Sequence, residues 1–417
     1  MHRGRAARGA LTMARVVLIA GEASGDAHGG KLARALLERD PTLVLEGIGG
    51  AEMEKAGVRL LHDIRHLGVV GVVEVLSQWR AIWRAYRDLR ARLRAAPPAA
   101  VVLIDYPDFN LRIARVAKGF GIPVVYYVSP QIWAWRPGRL AAIAARVDLM
   151  LLLFRFELDV YREAGVPCRW VGHPLLDDAV SDGDQETFAR RHRLAPGERV
   201  LGLLPGSRAL EVSQLLPTML DAAERLHAGG RLDRVLIAAA PSIDIGLIET
   251  ALERTGGFRT RVTVAAGEAA GVLRASRAAV VASGTATLQA AVLGTPLVMV
   301  YRVSPLTAWI ARRLVTAPHL ALVNVVAGRR VVPELVQEAM TAERIAAEAG
   351  RLLVDDRAAA AMKAELAGVR AALGEPGASA RAAEAILELL GSSVTREATI
   401  QRHARLDSGF ARGGNRG

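Results

Sequence analysis

Residues 15–26 read RVVLIAGEASGD, in which an uninterrupted apolar run, Val16–Ala20, ends in a turn of small and acidic residues. A helical pattern follows over Gly30–Arg39, and the next apolar run is Leu43–Ile48. This unit of apolar run, polar or glycine-rich turn and helix recurs along the chain. Apolar strands that alternate with helices indicate parallel sheets buried on both faces. The sequence therefore predicts an α/β fold built from doubly wound parallel sheets.

The pattern predicts ten strands in two groups of five. The predicted strands are Val16–Ala20, Leu43–Ile48, Val101–Asp105, Val124–Val128 and Leu149–Leu153, then Val200–Leu204, Val235–Ala239, Val262–Val264, Ala279–Ala282 and Leu297–Val300. An acid-rich stretch separates the groups. We expect a basic, disordered leader (1–13), a first Rossmann-like domain (14–175), a linker (176–189), a second domain (190–375), a helix that packs back on the first domain (376–390) and a disordered tail (391–417).

Composition excludes several classes of protein. The chain has 417 residues, of which 51% are hydrophobic and 23% charged, so it is not disordered throughout. Its single cysteine, Cys168, excludes a disulfide framework and fits a reducing cytosol. The net charge of +12 comes from residues 1–15, 77–94 and 391–417, whose excess positive charge accounts for all of it. A broad nucleic-acid-binding face is therefore not expected.

Ligands of open parallel sheets bind beyond the carboxyl ends of the strands, so the polar residues there are the candidates. The first such motif is GEASGD (21–26). Its simplest interpretation is a tight turn in which Asp26 caps the following helix. The carboxylate of Glu22 is also placed to bind sugar hydroxyls.

A second motif, DYPDFN (105–110), follows the apolar run Val101–Ile104. Asp105 should project into the cleft, where it could act as general base on an incoming hydroxyl. For Asp108 and Asn110 we favour a structural role as helix N-cap.

Two motifs of the second half suit an anion. Gly206 and Ser207 of LLPGSR (203–208) offer main-chain donors, and Arg208 offers a charged fork for phosphate oxygens. SGTATLQ (283–289) lies between a strand and a helix, where free N–H groups and the helix dipole attract a diphosphate. Its candidate phosphate-binding residues are Ser283, Gly284, Thr285 and Thr287. The alternative is ordinary N-capping by Ser283 or Thr285.

Two aromatic segments stand apart from these motifs. In YYVSPQIWAWR (126–136), Gln131, Trp133 and Trp135 could form the wall of a pocket for a sugar or acyl group, although core packing is an alternative for both tryptophans.

The second aromatic segment is a predicted helix, 77–94. It carries an apolar stripe that includes Trp79 and Trp83, together with six arginines, among them Arg80. This pattern is typical of a helix lying on an anionic membrane surface, or else of an ordinary amphipathic helix with a solvated basic face.

Taken together, the motifs resemble those of the lipid-A-disaccharide synthase family, bacterial glycosyltransferases of GT-B architecture. The matching segments are GEASGD (21–26), DYPDFN (105–110), YVSPQIWAWR (127–136), VGHPLLD (171–177), LLPGSR (203–208), SGTATLQAA (283–291), YRVSPLTAWIARRLV (301–315) and LVNVVAGRRVVPEL (322–335).

The resemblance implies inverting transfer of 2,3-diacylglucosamine from its UDP derivative to the 6-hydroxyl of 2,3-diacylglucosamine 1-phosphate (lipid X), which yields a β-1,6-linked disaccharide 1-phosphate and UDP. It implies no metal or other cofactor, and a location on the cytoplasmic face of the inner membrane. A homodimer is compatible with the sequence.

The resemblance also assigns residues. Asp105 and Glu22 match the family's acidic active-site positions, and Arg208, Asn324 and Arg302 match nucleotide-side positions. From its spacing alone, Asn324 is a weak candidate. Gln289 stands where the family usually has a glutamate that binds the ribose, so the charge-assisted hydrogen bond is lost here.

Other functions fit the same two-domain pattern. They are a different GT-B transferase of UDP-sugars, a UDP-N-acetylglucosamine epimerase, and a two-lobed ligand-binding protein. An epimerase has no use for an aromatic membrane helix, and the ligand-binding class usually carries a signal peptide, a pattern that this N-terminal sequence does not show.

Overall fold

The structure, a computed structural model, describes residues 14–64, 72–130, 132, 138–181, 185–304 and 318–391, without the side chains of 72–79, 179–181, 254 and 256. The predicted leader and the predicted tail beyond residue 391 lie outside the described residues.

Within this part of the chain, seven parallel strands form the first sheet. They are β1 (Arg15–Ala20), β2 (Val44–Gly49), β3 (Arg59–Asp63), β4 (Ala100–Ile104), β5 (Val124–Tyr127), β6 (Leu149–Leu152) and β7 (Cys168–Trp170). Their spatial order is β3-β2-β1-β4-β5-β6-β7.

The second sheet repeats this order with six parallel strands. They are β8 (Val200–Leu204), β9 (Arg234–Ala239), β10 (Val262–Ala266), β11 (Ala278–Ala282), β12 (Leu297–Tyr301) and β13 (Glu334–Val336), arranged β10-β9-β8-β11-β12-β13. Both sheets therefore start at a central strand and reverse direction beside it, which is the doubly wound topology that the sequence predicted.

Helices connect the strands. In the first half they are α1 (Ala23–Arg39), α2 (Ala51–Lys55), α3 (Val72–Ala95), α4 (Pro107–Gly119), α5 (Arg139–Ala144) and α6 (Glu157–Glu163). Next come α7 (Leu175–Ser181), α8 (Gln185–Arg191), α9 (Ala209–Ala228), α10 (Ile245–Leu252), α11 (Ala269–Ala275) and α12 (Thr285–Val292). The last are α13 (Leu322–Ala327), α14 (Ala342–Val354), α15 (Asp356–Ala372) and α16 (378–391), and two short 3₁₀ helices span Glu253–Arg261 and Gln337–Ala339.

Strand β1 shows why its run is apolar without interruption. Val16, Leu18 and Ala20 pack in one hydrophobic cluster, whereas Val17 and Ile19 pack in another on the opposite face. Since successive side chains of a strand alternate between faces, a strand covered by helices on both sides needs apolar residues at every position.

Three strands were not predicted from the sequence: β3, β7 and β13. They lie at the edges of the two sheets and are only partly buried. An edge strand is three to five residues long here and has solvent on one side. It therefore lacks the continuous apolar run that identifies the central strands.

The connection between the halves is more structured than the predicted linker. The stretch 176–189 contains most of α7 and α8, and Leu176 and Phe188 pack in the core of the second sheet. The chain passes between the halves twice, near 171–177 and near 377–381, and these two segments are hydrogen-bonded to each other. Gly377 N donates to Asp177 Oδ1 at 2.5 Å, and Arg381 Nε donates to the carbonyl oxygen of Val171 at 2.8 Å.

Helix α16 returns to the first sheet after the chain has left the second one. Ala382, Ile386 and Leu390 belong to the same cluster as Val16 and Leu18 of β1. The last described helix therefore completes the core of the first domain.

Candidate active site

The turn after β4 holds Asp105 in an unusual backbone conformation. Asp105 and Tyr106 both have left-handed φ angles, 48° and 46°. Three hydrogen bonds fix this turn. The carbonyl oxygen of Asp105 accepts from Tyr126 Oη at 2.6 Å and from Asn110 Nδ2 at 2.7 Å, and its N–H donates to the carbonyl of Tyr127 at 3.1 Å. Strained non-glycine residues held in this way are concentrated at functional sites.

The predicted capping role of Asp108 and Asn110 is wrong. Helix α4 begins at Pro107, with left-handed Tyr106 as its N-cap residue. Asn110 lies within the helix and is buried, and its amide holds the carbonyls of Ile104 and Asp105. Asp108 lies in the first turn and forms an ion pair with Arg139. The left-handed turn makes the helix start earlier than the sequence suggested.

The carboxyl group of Asp105 is tuned towards neutral pH. Burial and the nearby Glu22 carboxylate raise its pKa to about 6, although the Tyr106 amide and Arg208 act in the opposite direction. A carboxylate with such a pKa is ionised at pH 7 and is a stronger base than an ordinary aspartate.

Glu22 lies in the neighbouring turn, after β1. Helix α1 begins at Ala23 with Glu22 as its N-cap residue. The ring of Tyr106 packs directly over Gly21, where a Cβ would be 2.2 Å from Tyr106 Cδ1. The position therefore requires glycine because of space, and the two turns interlock.

Asp26 does not cap α1, as the sequence interpretation proposed. It lies inside that helix, and its buried carboxylate accepts from the main-chain N–H groups of Gly50 (2.7 Å), Glu52 (3.0 Å) and Met53 (3.1 Å). Asp26 therefore caps the N-terminus of α2, a contact that sequence spacing does not reveal.

Arg208 joins the two domains. It stands at the N-cap position of α9, and its Nη2 lies 3.2 Å from Glu22 Oε2. Its Nη1 lies 3.4 Å from Glu211 Oε1. Because Glu22 follows β1 and Arg208 follows β8, this pair shows that the carboxyl ends of the two central strands meet. The Arg208 side chain is 67% exposed and is thus accessible to an incoming anion.

The turn before α12 leaves the helix N-terminus open. Gly284 is the N-cap residue, with φ of 134°, and no described side chain caps the helix. Ser283 Oγ donates to the carbonyl of Leu320 at 3.0 Å, and Thr287 Oγ1 donates to that of Gly284 at 2.8 Å. Ser283 and Thr285 thus do not cap the helix, so the alternative interpretation of this motif is wrong.

Asn324 is fully buried and satisfied within the protein. Its Nδ2 donates to the carbonyl of Val332 (3.0 Å) and to Glu334 Oε1 (2.7 Å), while its Oδ1 accepts from the N–H groups of Val331 (2.8 Å) and Val332 (2.9 Å). In this structure the side chain therefore holds its own loop together.

The remaining candidates are spread around this centre. Gln289 lies half-buried on α12, and Arg302 follows β12 and donates to the carbonyl of Met340. Main-chain Ser207 N lies 3.2 Å from Glu211 Oε2. Gln131, Trp133 and Trp135 lie outside the described residues.

The basic helix, α3, spans Val72–Ala95 and is longer than the predicted 77–94. Part of its apolar stripe is buried and part is exposed. Leu89 and Leu93 are buried against the first sheet, whereas Trp83 is 56% exposed and Arg80 is exposed. The side chain of Trp79 lies outside the described residues. The inner part of α3, residues 85–95, is therefore an ordinary amphipathic helix, whereas its outer part, at residues 80–84, presents exposed Trp83 among arginines.

Arg92 anchors the inner end of α3. Its Nε lies 3.0 Å from Oε1 of the fully buried Glu46, which also pairs with Arg15 and Arg59. Burial alone would raise the pKa of Glu46, but hydrogen bonds from Arg92 and Arg59 outweigh burial, so the pKa lies below its usual value.

Sequence reasoning missed four residues that organise the site. Tyr126 holds the Asp105 turn, Glu211 competes for Arg208, and Glu334 accepts the N–H groups of Leu320 and Ala321 at 3.1 and 3.2 Å. Burial and Glu211 raise the pKa of Tyr301, which shows that it lies near the same carboxylate. Only Glu211, three residues after Arg208 at a helix start, left a signal in the sequence.

Within the described residues, no group of three or more His, Cys, Asp or Glu side chains is arranged to hold a metal ion. None of the helices in that part of the chain is long and apolar enough to cross a bilayer.

Two doubly wound sheets whose carboxyl ends meet at an aspartate, a glutamate and an arginine define the GT-B architecture of nucleotide-sugar glycosyltransferases. The chain belongs to the lipid-A-disaccharide synthetase family, whose model matches residues 16–388. The lipid-A-disaccharide synthase of Geobacter sulfurreducens is 44% identical over 383 residues, which is 92% of this chain and 99% of that protein. The chain is therefore a glycosyltransferase of lipid A biosynthesis.

Solved structures agree on the fold. The calicheamicin glycosyltransferase CalG4 has a TM-score of 0.59 at 16% identity, covering 91% of this chain and 99% of that one. The UDP-GlcNAc 2-epimerase from Neisseria meningitidis, bound to UDP-GlcNAc, has a TM-score of 0.62 at 12% identity, covering 90% and 100%. Because a transferase and an epimerase share this fold, the function rests on the family and on the site.

Proposed function

We propose that the cleft transfers 2,3-diacylglucosamine from its UDP derivative to the 6-hydroxyl of 2,3-diacylglucosamine 1-phosphate in a single inverting displacement. The observation that carries this proposal is the position of Asp105, whose carboxyl group lies close enough to Glu22 and Arg208 for both to affect its pKa. Asp105, a base of the first domain, thus lies near Arg208, a cation of the second domain. Attack on a UDP-sugar requires both, since the base activates the acceptor hydroxyl and the cation stabilises the leaving diphosphate.

Asp105 removes the proton from the acceptor hydroxyl as the oxygen attacks the anomeric carbon. The bond between that carbon and the diphosphate oxygen breaks, and UDP leaves with the electron pair. General base catalysis of this kind contributes roughly 10²- to 10⁴-fold in rate. The hydrogen bonds on its main chain fix Asp105, so that little reorganisation accompanies the proton transfer.

Arg208 and the N-terminus of α12 stabilise the leaving diphosphate. Arg208 is held by two carboxylates, Glu22 and Glu211, and a diphosphate would replace them as the partner of the guanidinium. Main-chain N–H groups at Gly206, Gly284 and Thr285 add further donors, and that of Ser207 becomes available once the diphosphate displaces Glu211. These groups carry the leaving-group charge in a reaction that we propose needs no metal.

Glu22 has two tasks in this proposal. Its carboxylate raises the pKa of Asp105 and, once Arg208 turns to the diphosphate, becomes an acceptor for sugar hydroxyls. Gln289 and Arg302 are assigned to the ribose and phosphate side of the donor. Thr287, which is buried and bonded to Gly284, shapes the N-terminus of the helix.

Asn324 is proposed as a positioning residue. With Glu334 it fixes the main chain at 320–321 and 331–332, and the carbonyl of Leu320 in turn accepts from Ser283. Asn324 thus acts on the phosphate-binding turn through two intermediates.

We assign the outer part of α3 to a membrane surface, at the cytoplasmic face of the inner membrane. Exposed Trp83, with the guanidinium of Arg87 5.7 Å from its ring centroid, suits the interface of an anionic bilayer. Both substrates are lipids, so a peripheral enzyme would find them there.

The test measures UDP release from UDP-2,3-diacylglucosamine with and without 2,3-diacylglucosamine 1-phosphate. We expect release only when both are present, together with formation of the disaccharide 1-phosphate. Release without the acceptor, or conversion of UDP-N-acetylglucosamine to its 2-epimer, would contradict the proposal.

A further inference from the structure

An apolar cavity of about 90 Å³ lies beside the Asp105 turn and is partly open to solvent. Ile19, Ile48, Ile64, Ile82 and Phe109 contribute apolar walls. Gly21 and Tyr106 also line it, and they directly precede Glu22 and follow Asp105 in the chain. The cavity thus adjoins both acidic residues of the proposed site.

The lining restricts what the cavity can take. Among the described residues that line the cavity, Tyr106 alone has a polar atom in its side chain; the others are aliphatic, phenylalanine, alanine or glycine. A sugar or nucleotide buried there would lose its hydrogen bonds to water without replacement, whereas an alkyl chain would lose nothing. Since an apolar protein cavity of about 150 Å³ accommodates benzene, this one holds about four carbons of a chain that continues through the open side.

We propose that this cavity binds an acyl chain of the acceptor, a proposal that rests on the function proposed above. The acceptor hydroxyl must approach Asp105, which belongs to the first domain, as do the described residues that line the cavity. The donor diphosphate is assigned to Arg208 and α12 of the second domain. An acyl chain in the cavity would therefore hold the acceptor sugar on the side from which it attacks.

Helix α3 connects the cavity with the region that we assign to the lipid surface. Ile82 and Ala85 line the cavity, while Trp83 on the same helix turn is exposed. One face of α3 thus borders the cavity, and the region around Trp83 faces the solvent or the bilayer.

The test is the acyl-chain preference of an Ala85→Leu variant, whose larger side chain would fill the cavity. Ala85 is 1% exposed. The measured quantity is the ratio of kcat/KM for a long-chain acceptor to that for an acceptor with acetyl groups, which are too short to fill the cavity, using the same donor throughout. Each buried methylene is worth about fourfold in affinity, so loss of the cavity should lower this ratio roughly 30- to 100-fold.

Ala117→Leu is the matched control, because Ala117 is equally buried on α4 but does not line the cavity. It should leave the ratio unchanged. Ile82→Ala is the second variant, since removing a half-buried side chain is less disruptive to folding. It should shift the preferred acceptor chain length upwards.

Two results would overturn the inference. One is an Ala85→Leu enzyme whose ratio equals that of the unaltered chain. The other is a change in preference for donor chain length while the acceptor profile stays the same. In both cases the unaltered enzyme still releases UDP only with acceptor, so failure of this inference is distinct from failure of the proposed function.

Discussion

The Asp105 turn follows β4, and the two phosphate-side turns, 205–208 and 283–285, follow β8 and β11. All three turns lie at the carboxyl ends of strands, yet their backbones are built differently. In the Asp105 turn the left-handed positions are Asp105 and Tyr106, neither of which is glycine. In the two phosphate-side turns the residues with positive φ are Gly206 and Gly284. Glycine adopts these angles without steric conflict, whereas other residues need surrounding contacts to hold them.

This difference matches two kinds of task. A general base must be fixed within a fraction of an ångström of the hydroxyl it deprotonates, and the bonds from Tyr126 and Asn110 provide that. The phosphate-side turns must admit and release a charged group. There Arg208 is exposed, and the described residues place no side-chain cap on α12.

The largest effect is expected from Asp105→Asn, which removes the base but keeps the shape of the side chain. Turnover should fall about 10³-fold with donor binding retained. In the unaltered enzyme, kcat/KM should decline below about pH 6, because protonation of Asp105 removes the base. An unchanged rate in the variant, or a pH profile without this limb, would show that another group takes the proton.

The same substitution should stabilise the fold. Since the pKa of Asp105 is raised to about 6, its ionisation destabilises the folded state above that pH. Asp105→Asn should therefore add about 3 kcal/mol to the free energy of unfolding at pH 8. The gain should shrink as the pH falls and vanish below the ordinary aspartate pKa, as urea unfolding at a series of pH values can test.

A smaller loss, about 10²-fold in kcat/KM, is expected for Arg208→Ala, because one donor to the leaving group is removed. UDP affinity, measured by calorimetry, should fall as well. Arg225→Ala is the control, since Arg225 is a comparably exposed arginine of α9 paired with Glu343. Equal effects of the two substitutions would mean that Arg208 is only a surface charge.

Tyr126→Phe tests the rigidity of the Asp105 turn. Loss of the hydroxyl bond to the Asp105 carbonyl should lower kcat about tenfold while the donor KM stays constant. Tyr127→Phe is the control, because that neighbouring side chain packs on the opposite face of the sheet. If donor KM rose in the Tyr126 variant instead, the hydroxyl would serve the fold rather than the base.

The smallest effect is expected at Gly284. Alanine there has free space but an unfavourable φ of 134°, so Gly284→Ala should cost about 1–2 kcal/mol of stability and raise donor KM severalfold. Gly368→Ala, in the interior of α15 with open space around it, should be neutral or slightly stabilising. Similar melting temperatures for both variants would argue against a strained phosphate-binding turn.

The central strands could be predicted because each needs an unbroken apolar run, and the same logic placed Asp105, Glu22, Arg208 and Ser283 at strand ends. The edge strands β3, β7 and β13 could not, since they are half-exposed and short. Asp26 and Asn110 were assigned to their own helices, because spacing along the chain cannot reveal that Asp26 caps α2 or that Asn110 holds the Asp105 carbonyl.

Residues that act through others were the hardest to find. Tyr126 looks like any strand aromatic, and Glu334 lies on an unrecognised edge strand. Their importance depends on which main-chain atoms they reach, and that information exists only once the chain is folded. The saturated amide of Asn324 belongs to the same category, since its partners lie on the following loop.

The pairing of Arg92 with buried Glu46 has a mechanical consequence. Nine residues separate Arg92 from Trp83, which is about 14 Å along a helix axis. Helix α3 is therefore held by core packing and an ion pair towards its C-terminal end and is exposed at Trp83, with Ala85 between the two positions and Ile82 next to Trp83. A lipid surface that contacts Trp83 would thus touch the helix directly beside the cavity and about 14 Å from the ion pair.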